Sequence, residues 1–308
     1  MEFRHLELLR ELSLRGTLAA VAEATHRTPS ALSQQLRTAE REVGASLVEP
    51  FSRGLRLTAA GRILADGADD VGRALAEVQA KLEASLGEPS GTVSIGALPS
   101  ASEALVPGLL RRTAGSAIQL DLDDFDLAES EYAARTLDAD IVIGHSLTGD
   151  VPRGAEHLHT RVLAREPIDV ALPSEHPLAH LDHLVPGDLL GTTWVGVPVG
   201  YPFDSILIAL ENATSTNLDR VQRLRDNRLV EALVATGTGL ALLPRFTTHP
   251  RPGVVLRPLD GVRSVRSIVA IARPDRQARF AVRTVLDHLT AAGADLEAEF
   301  AEVDPPHP

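Results

Sequence analysis

The clearest chemistry in this chain lies in Thr28–Pro29 and the residues after it, Ser30, Ala31, Ser33, Gln34 and Arg37. A Thr side-chain oxygen can hold the free amides of a helix start, and Pro fits the first helical position. Ser and Gln near such a start can reach base edges, Gln pairing bidentately with adenine, while Arg37 suits guanine or phosphate. Further on, EPFSRGLRL (Glu49 to Leu57) reads as a small hairpin with Ser52–Arg53–Gly54 at its tip. Arg53 and Arg56 on such a wing would contact flanking phosphate or the minor groove. The expected DNA-binding set is Thr28, Ser30, Ala31, Ser33, Gln34, Arg37, Arg53 and Arg56.

A second set of residues suits a small ligand. Ser100 and Ser102 follow a strand and open a helix, where hydroxyls and free amides favour a carboxylate or other anion. His145 and Ser146 follow another strand. Val199 and Tyr201 precede a helix start and supply an aromatic wall, and Asn227 and Thr236 complete the set. In open α/β sheets ligands lie at the carboxyl ends of strands, here between two lobes.

Other chemistry is not expected. The chain has no cysteine, which removes disulfides, thiolate metal sites and cysteine nucleophiles. His176, His180 and His183 lack a partner with metal-ligand spacing and read as a solvated loop. Gly237–Thr238–Gly239 precedes a strand instead of following one, so it is not a phosphate loop. No nucleophile elbow or acid–base pair is found. The expectation is no catalytic residue, no metal and no cofactor.

The elements that hold these residues follow from periodicity. Residues 3–15 form a first helix with Phe3, Leu6, Leu9 and Leu12 on one face. A short second helix runs from Leu18 to Ala24, and a third from Pro29 to about Val43, stopped by Gly44. Ala31, Leu32, Leu36, Ala39 and Val43 form its expected buried stripe. Two helices joined by a tight turn, the second polar-faced, describe a helix-turn-helix. Thr58 caps a helix to about Leu86, with Leu64, Ala68, Val71, Leu75, Val78 and Leu82 spaced as a heptad seam over roughly 43 Å. A partner copy is expected along that seam.

After Glu88–Pro89–Ser90–Gly91 the pattern changes to strands separated by helical segments. The strand candidates include Val162–Leu163 and Ile168–Leu172 as separate pieces, and the helical segments include Glu129–Leu137 and Arg276–Ala292. This predicts an α/β body with mostly parallel sheets. The net charge is −12. Residues 1–62 nevertheless carry nine Arg against seven Glu, a net of +2, so the acidity lies entirely in the body. No apolar run approaches a membrane span, and MEFRHLELLRELSLRG carries no signal-peptide stretch, so a cytoplasmic location without membrane association is expected.

With helix-turn-helix, wing, long helix and α/β body in this order, the chain resembles the LysR-type transcriptional regulators over nearly its whole length. Thr28, Ser33, Gln35, Leu36, Glu40, Gly44, Leu47, Leu57, Thr58 and Gly61 carry the resemblance, with Arg53 between them. Pro107, residues 137–143 and residues 237–244 continue it. The chain departs from the family pattern at Thr25, Arg27 and Ala39. It departs again at Leu47–Val48–Glu49–Pro50, where the family usually reads Leu-Phe-x-Arg and one DNA-contacting Arg is lost.

The resemblance implies three parts. They are a winged helix-turn-helix domain over 1–58, a linker and dimerisation helix over 59–88, and a two-lobed, periplasmic-binding-protein-like effector domain over 91–295. Lobe I would hold about 91–163 and 267–295, and lobe II about 164–266. It further implies a homodimer through the linker helices, assembling to a homotetramer on double-stranded DNA with pseudo-palindromic half-sites. A small-molecule effector, anions included, and RNA polymerase are the other implied partners. The competing expectation is a cytosolic small-molecule-binding protein without DNA-binding activity.

Overall fold

The computed structural model describes residues 1–52, 54–248 and 251–303, so the wing-tip Arg53 lies outside the described residues. Two compact units are present: Met1–Pro89 with Pro274–Phe280, and Ser90–Arg273 with the segment from Ala281 onward.

The first unit contains α1 (Phe3–Arg15), α2 (Leu18–Ala24), α3 (Pro29–Val43), the hairpin strands β1 (Val48–Phe51) and β2 (Gly54–Leu57), and α4 (Ala59–Leu86). The helix ends follow local chemistry. The hydroxyl oxygens of Thr17, Thr28 and Thr58 accept from the amides of Ala20, Ala31 and Gly61, caps worth about 1 kcal/mol each. Gly16 and Gly44 close α1 and α3 in the left-handed region, at φ 76° and 74°. Leu8, Leu9 and Leu12 of α1 pack on Val21, Leu32, Leu36 and Ala39, with Leu47, Leu57 and Ala65 closing the core from the wing and α4.

Several residues that carry the family resemblance have structural roles. Gln35 is buried and donates to the Arg4 carbonyl. Glu40 Oε1 accepts from the Leu47 amide at 3.0 Å and the Ser46 hydroxyl at 3.2 Å, fixing how the chain leaves α3. Thr58 Oγ1 donates to the Ser46 carbonyl at 2.8 Å, returning the wing to the same point. At Gly61 a Cβ would lie 2.1 Å from the Leu47 carbonyl oxygen. That oxygen also accepts from the Thr58 amide, so it has little freedom to yield. Gly61→Ala is expected to destabilise the N-terminal unit by about 1–3 kcal/mol, read as a lower urea midpoint with unchanged slope.

Two expectations for these helices need correction. Ala31 and Val43 are exposed; the buried side of α3 is Leu32, Gln35, Leu36 and Ala39. The turn of α3 toward Gln35 follows from its bond to Arg4, which periodicity does not register. The proposed seam of α4 also divides. Leu64 packs on the helix-turn-helix core and Ala68 is fully buried within the chain. Val71, Leu75, Val78 and Leu82 remain exposed, at 44%, 45%, 63% and 56%.

The second unit contains β3 (Ser90–Ala97), α5 (Pro99–Thr113), β4 (Ala117–Asp124), α6 (Tyr132–Arg135), β5 (Ile141–Ser146), β6 (His159–Pro173), β7 (Thr193–Gly196), α7 (Pro202–Thr214), β8 (Asp219–Arg223), α8 (Asn227–Ala235), β9 (Ala241–Pro244), β10 (Val254–Arg257) and β11 (Val265–Ala272). After the short α9 (Pro274–Gln277) of the first unit, α10 (Phe280–Val303) returns to it. The large sheet runs β10-β6-β11-β5-β3-β4, with β9 also on β6, and β7 pairs with β8.

Parallel pairing in the large sheet is confined to β3 with β4 and β5; the pairs made by β6 and β11 are antiparallel. The expectation of mostly parallel sheets is therefore corrected, because two long strands cross between the lobes. The two strands expected at Val162–Leu163 and Ile168–Leu172 are one strand, β6. Glu166, which broke the apolar pattern, stands opposite Arg266 of β11, and a charge so paired can lie inside a strand. The helix expected over 129–137 shortens to a single 3₁₀ turn (Glu129–Glu131) and α6. The helix expected over 276–292 is α9 and the longer α10.

Each lobe has its own core. Ile95, Leu105, Ile141, Ile143, Val269, Ile271, Val282 and Leu286 centre the first, and Ile168, Val170, Trp194, Ile206, Leu207 and Leu242 the second. A smaller group around Val195, Val230 and Leu243 backs the second lobe.

Candidate functional site

On α3, Ser30, Ala31, Gln34 and Arg37 are exposed and Ser33 is half-buried. They lie on one side of a helix whose opposite face is in the core. Thr28 Oγ1 lies 3.1 Å from the Ser30 hydroxyl while accepting the Ala31 amide. Those hydroxyls therefore sit beside the helix start, where free amides and the helix dipole favour phosphate. In the wing, Arg56 pairs with Glu49 at 2.6 Å and its guanidinium covers the Phe51 ring at 4.9 Å. An exposed pair of this kind is worth about 1 kcal/mol or less, so Arg56 can exchange Glu49 for phosphate at little cost.

In the second unit a cavity of about 590 Å³ opens between the lobes. The first lobe supplies Ser100, Glu103, Asp126 and His145, and the second Tyr201, Phe203, Arg225, Asn227 and Glu231. Arg266 lines it from the crossover strand β11 and is only 1% exposed. Its Nε donates to Glu166 at 2.7 Å, and one terminal nitrogen donates to Ser100 Oγ at 3.1 Å and His145 Nδ1 at 2.9 Å. The second oxygen of Glu166 accepts from the Phe246 amide at 2.6 Å. Arginine is always a donor, so His145 accepts at Nδ1 and carries its proton on Nε2. The ring stacks on Phe203, centroids 6.0 Å apart, with Tyr132 edge-on at 6.4 Å.

Burial, and then the adjacent Arg266 charge, hold the His145 pKa well below the usual range. The neutral ring is therefore built into the fold. An unfolded chain takes up this proton as pH falls through about 6.5, whereas the folded chain does not. Stability from this group is complete above that pH and falls below it, until the folded pKa is reached, by about 1.4 kcal/mol per unit. His145→Asn is expected to flatten the slope of unfolding free energy between about pH 6.5 and 5, measured by urea unfolding at a series of pH values.

Of the sequence-expected effector residues, the structure brings Ser100, His145, Tyr201 and Asn227 to the cavity. It does not bring the other four. Ser102 is half-buried in α5 and does not line the cavity. Ser146 is buried and donates to Glu129 at 2.9 Å, tying the loop that carries Arg153. Val199 is 76% exposed. Thr236 is exposed and bonds Thr238 and the Leu233 carbonyl at the end of α8. Arg266, Glu166 and Arg225 were missed. For Arg266 the signal was a lone charge inside the apolar run VRSIVAIA, which makes sense only when the facing strand is known; Arg225, in a charged loop, gave none. Among the described residues no group of three or more acidic or histidine side chains could hold a metal ion.

A helix-turn-helix with a wing, carried on a chain whose other unit is a two-lobed cleft protein, defines a DNA-binding regulator with a ligand-binding domain. Residues 3–62 match the model of the bacterial regulatory helix-turn-helix proteins of the lysR family, and residues 86–294 match the LysR substrate binding domain. The chain belongs to the LysR family of transcriptional regulators. Its relatives include the Hca operon transcriptional activator HcaR of Escherichia coli K12, 28% identical over 85% of this chain and 88% of that protein. The transcriptional dual regulator GltC of Bacillus subtilis is also 28% identical, over 89% and 91%.

The fold is that of full-length OxyR from Pseudomonas aeruginosa, at a TM-score of 0.68, 19% identity and 94% coverage of both chains. It is also that of CbnR crystallised with its target DNA, at a TM-score of 0.54, 20% identity and coverage of 95% and 100%. The chain is thus a LysR-type, DNA-binding transcriptional regulator with an effector-binding domain. No described helix is long and apolar enough to cross a membrane.

Proposed function

We propose that α3 reads operator DNA in the major groove through Ser30, Ser33, Gln34 and Arg37, with Arg56 and the wing on flanking phosphate. A small-molecule effector bound between the lobes then changes how two copies are held on that DNA. The observation that carries the second half is the cleft, where Ser100 and His145 converge on the buried Arg266. A ligand contacting both lobes binds one lobe arrangement better than another, and its differential affinity is all that can shift the equilibrium.

The working unit is a dimer, assembling further to a tetramer, in the cytoplasm and without enzymatic activity of its own. The exposed row Val71, Leu75, Val78 and Leu82 on α4 supports the dimer. RNA polymerase is the partner through which bound DNA would be read out.

The test is a gel shift on the intergenic DNA beside the protein's own gene, with and without compounds that raise its melting temperature. The expected result is a retarded complex whose mobility or affinity changes with the compound in wild type and not in Ser100→Ala. A compound response that survives Ser100→Ala and Arg266→Met alike contradicts the cleft as the effector site.

A further inference from the structure

The charges lining the cleft divide into those already neutralised and those that are not. Arg266 is neutralised by Glu166 and Arg228 by Asp226 at 3.3 Å, and Glu103 is engaged as well. Among the described residues, Asp126 and Glu231 form no ion pair, and Arg225 lies over the Tyr201 ring, 4.7 Å from its centroid. The unpaired lining thus offers two carboxylates against one guanidinium. A ligand with two negative charges would set its second charge against this surplus of acid, where like charges repel with little screening.

The other end of the cleft is built from neutral donors. Ser100 Oγ already accepts from Arg266, so its own O–H points its proton elsewhere. Helix α5 begins at Pro99, which has no amide proton, and no side chain caps it. The Ser100 and Ala101 amides accordingly have no intrahelical acceptor. A second, independent observation marks the same end: His145 is nine-tenths buried, lines the cavity, and its Nε2–H has no acceptor among the described residues. The Ser100 hydroxyl and the two amides match a single carboxylate, and they bring no net charge of their own.

We propose that the effector is a zwitterion of amino-acid type, with one carboxylate on the Ser100 hydroxyl and the first amides of α5, and one ammonium facing Asp126 and Glu231. Asp126 belongs to the first lobe and Glu231 to α8 of the second, so the ammonium would draw the lobes together. This rests on the cleft being the effector site, and narrows the expected anion to one that also carries a cation.

The experiment is a thermal-shift screen of the full-length protein with the twenty standard amino acids. It is followed by calorimetry of each hit against the same carbon skeleton lacking the amine, lacking the carboxylate, and carrying a second carboxylate in place of the amine. The expected result is at least one amino acid that stabilises the protein, with each of the three relatives weaker by about tenfold or more. Glu231→Gln with Asp126→Asn is expected to weaken the amino acid and leave its deaminated form unchanged, while Ser100→Ala weakens both.

No binding by any amino acid overturns the proposal. A dicarboxylate or deaminated acid that binds as tightly as the amino acid, and is lost in Ser100→Ala, overturns the zwitterion while leaving the cleft as the effector site. An amino acid whose binding ignores all of these substitutions overturns the cleft itself.

Discussion

Glu166→Ala is expected to remove about 3–5 kcal/mol of stability from the two-lobed unit, enough to unfold much of an ordinary domain of marginal stability. Glu166 is fully buried and Arg266 nearly so, and their nearest ion-pair atoms are 2.5 Å apart. Removing the carboxylate leaves a guanidinium that cannot lose its proton inside a low-dielectric strand pair. It also strips the Phe246 amide of its acceptor. Replacing both members by similar-sized apolar groups avoids the stranded charge, so Glu166→Leu with Arg266→Met is expected to recover most of the loss. Urea unfolding followed by far-UV circular dichroism reads both. A single Glu166→Ala variant as stable as wild type would mean that the pair does not organise the crossover.

Leu75→Glu combined with Val78→Glu is expected to convert the protein to monomers and to weaken binding to a two-half-site operator by about 100-fold or more. These side chains are 45% and 63% exposed and lie on the outer row of α4, so charging them leaves the chain's own core intact. Surface substitutions of this sort usually change stability by about 0.5 kcal/mol or less. A single helix-turn-helix with a net charge of +2 over residues 1–62 gains little long-range attraction to DNA. Two copies held together convert the second encounter into an intramolecular one. Light scattering after size exclusion reports the mass, and fluorescence anisotropy on one- and two-half-site DNA reports the affinity. The double variant should bind both DNAs alike.

How much of this was legible in the sequence depended on how local the determining interaction is. Helices α1, α2 and α3 begin and end where Thr17, Thr28, Gly16 and Gly44 place them, because a cap acts within one helical turn. The wing was equally readable from Ser52 and Gly54. The site was legible where a residue both follows a strand and opens a helix, as Ser100 and Tyr201 do.

Reading failed where a distant partner decides. Ser146 looked like a cleft hydroxyl, but Glu129 holds it 2.9 Å away inside the fold. Val162–Leu163 and Ile168–Leu172 read as two strands, although Glu166 between them is held in a strand interior by Arg266, 100 positions later. The apolar row of α4 read as one seam, yet the chain itself buries Ala68 and packs Leu64, while the rest stays open. In each case the deciding partner was invisible to local pattern.

The most direct test of a regulator reading DNA through α3 is anisotropy of the full-length protein on the intergenic fragment beside its gene, compared with a scrambled fragment at the same salt. The account predicts tighter binding to the native fragment. Arg37→Ala should lose about 1–3 kcal/mol per half-site of that discrimination, and both affinities should fall steeply as salt rises. Equal binding of the two fragments, unchanged by Arg37→Ala, would contradict it.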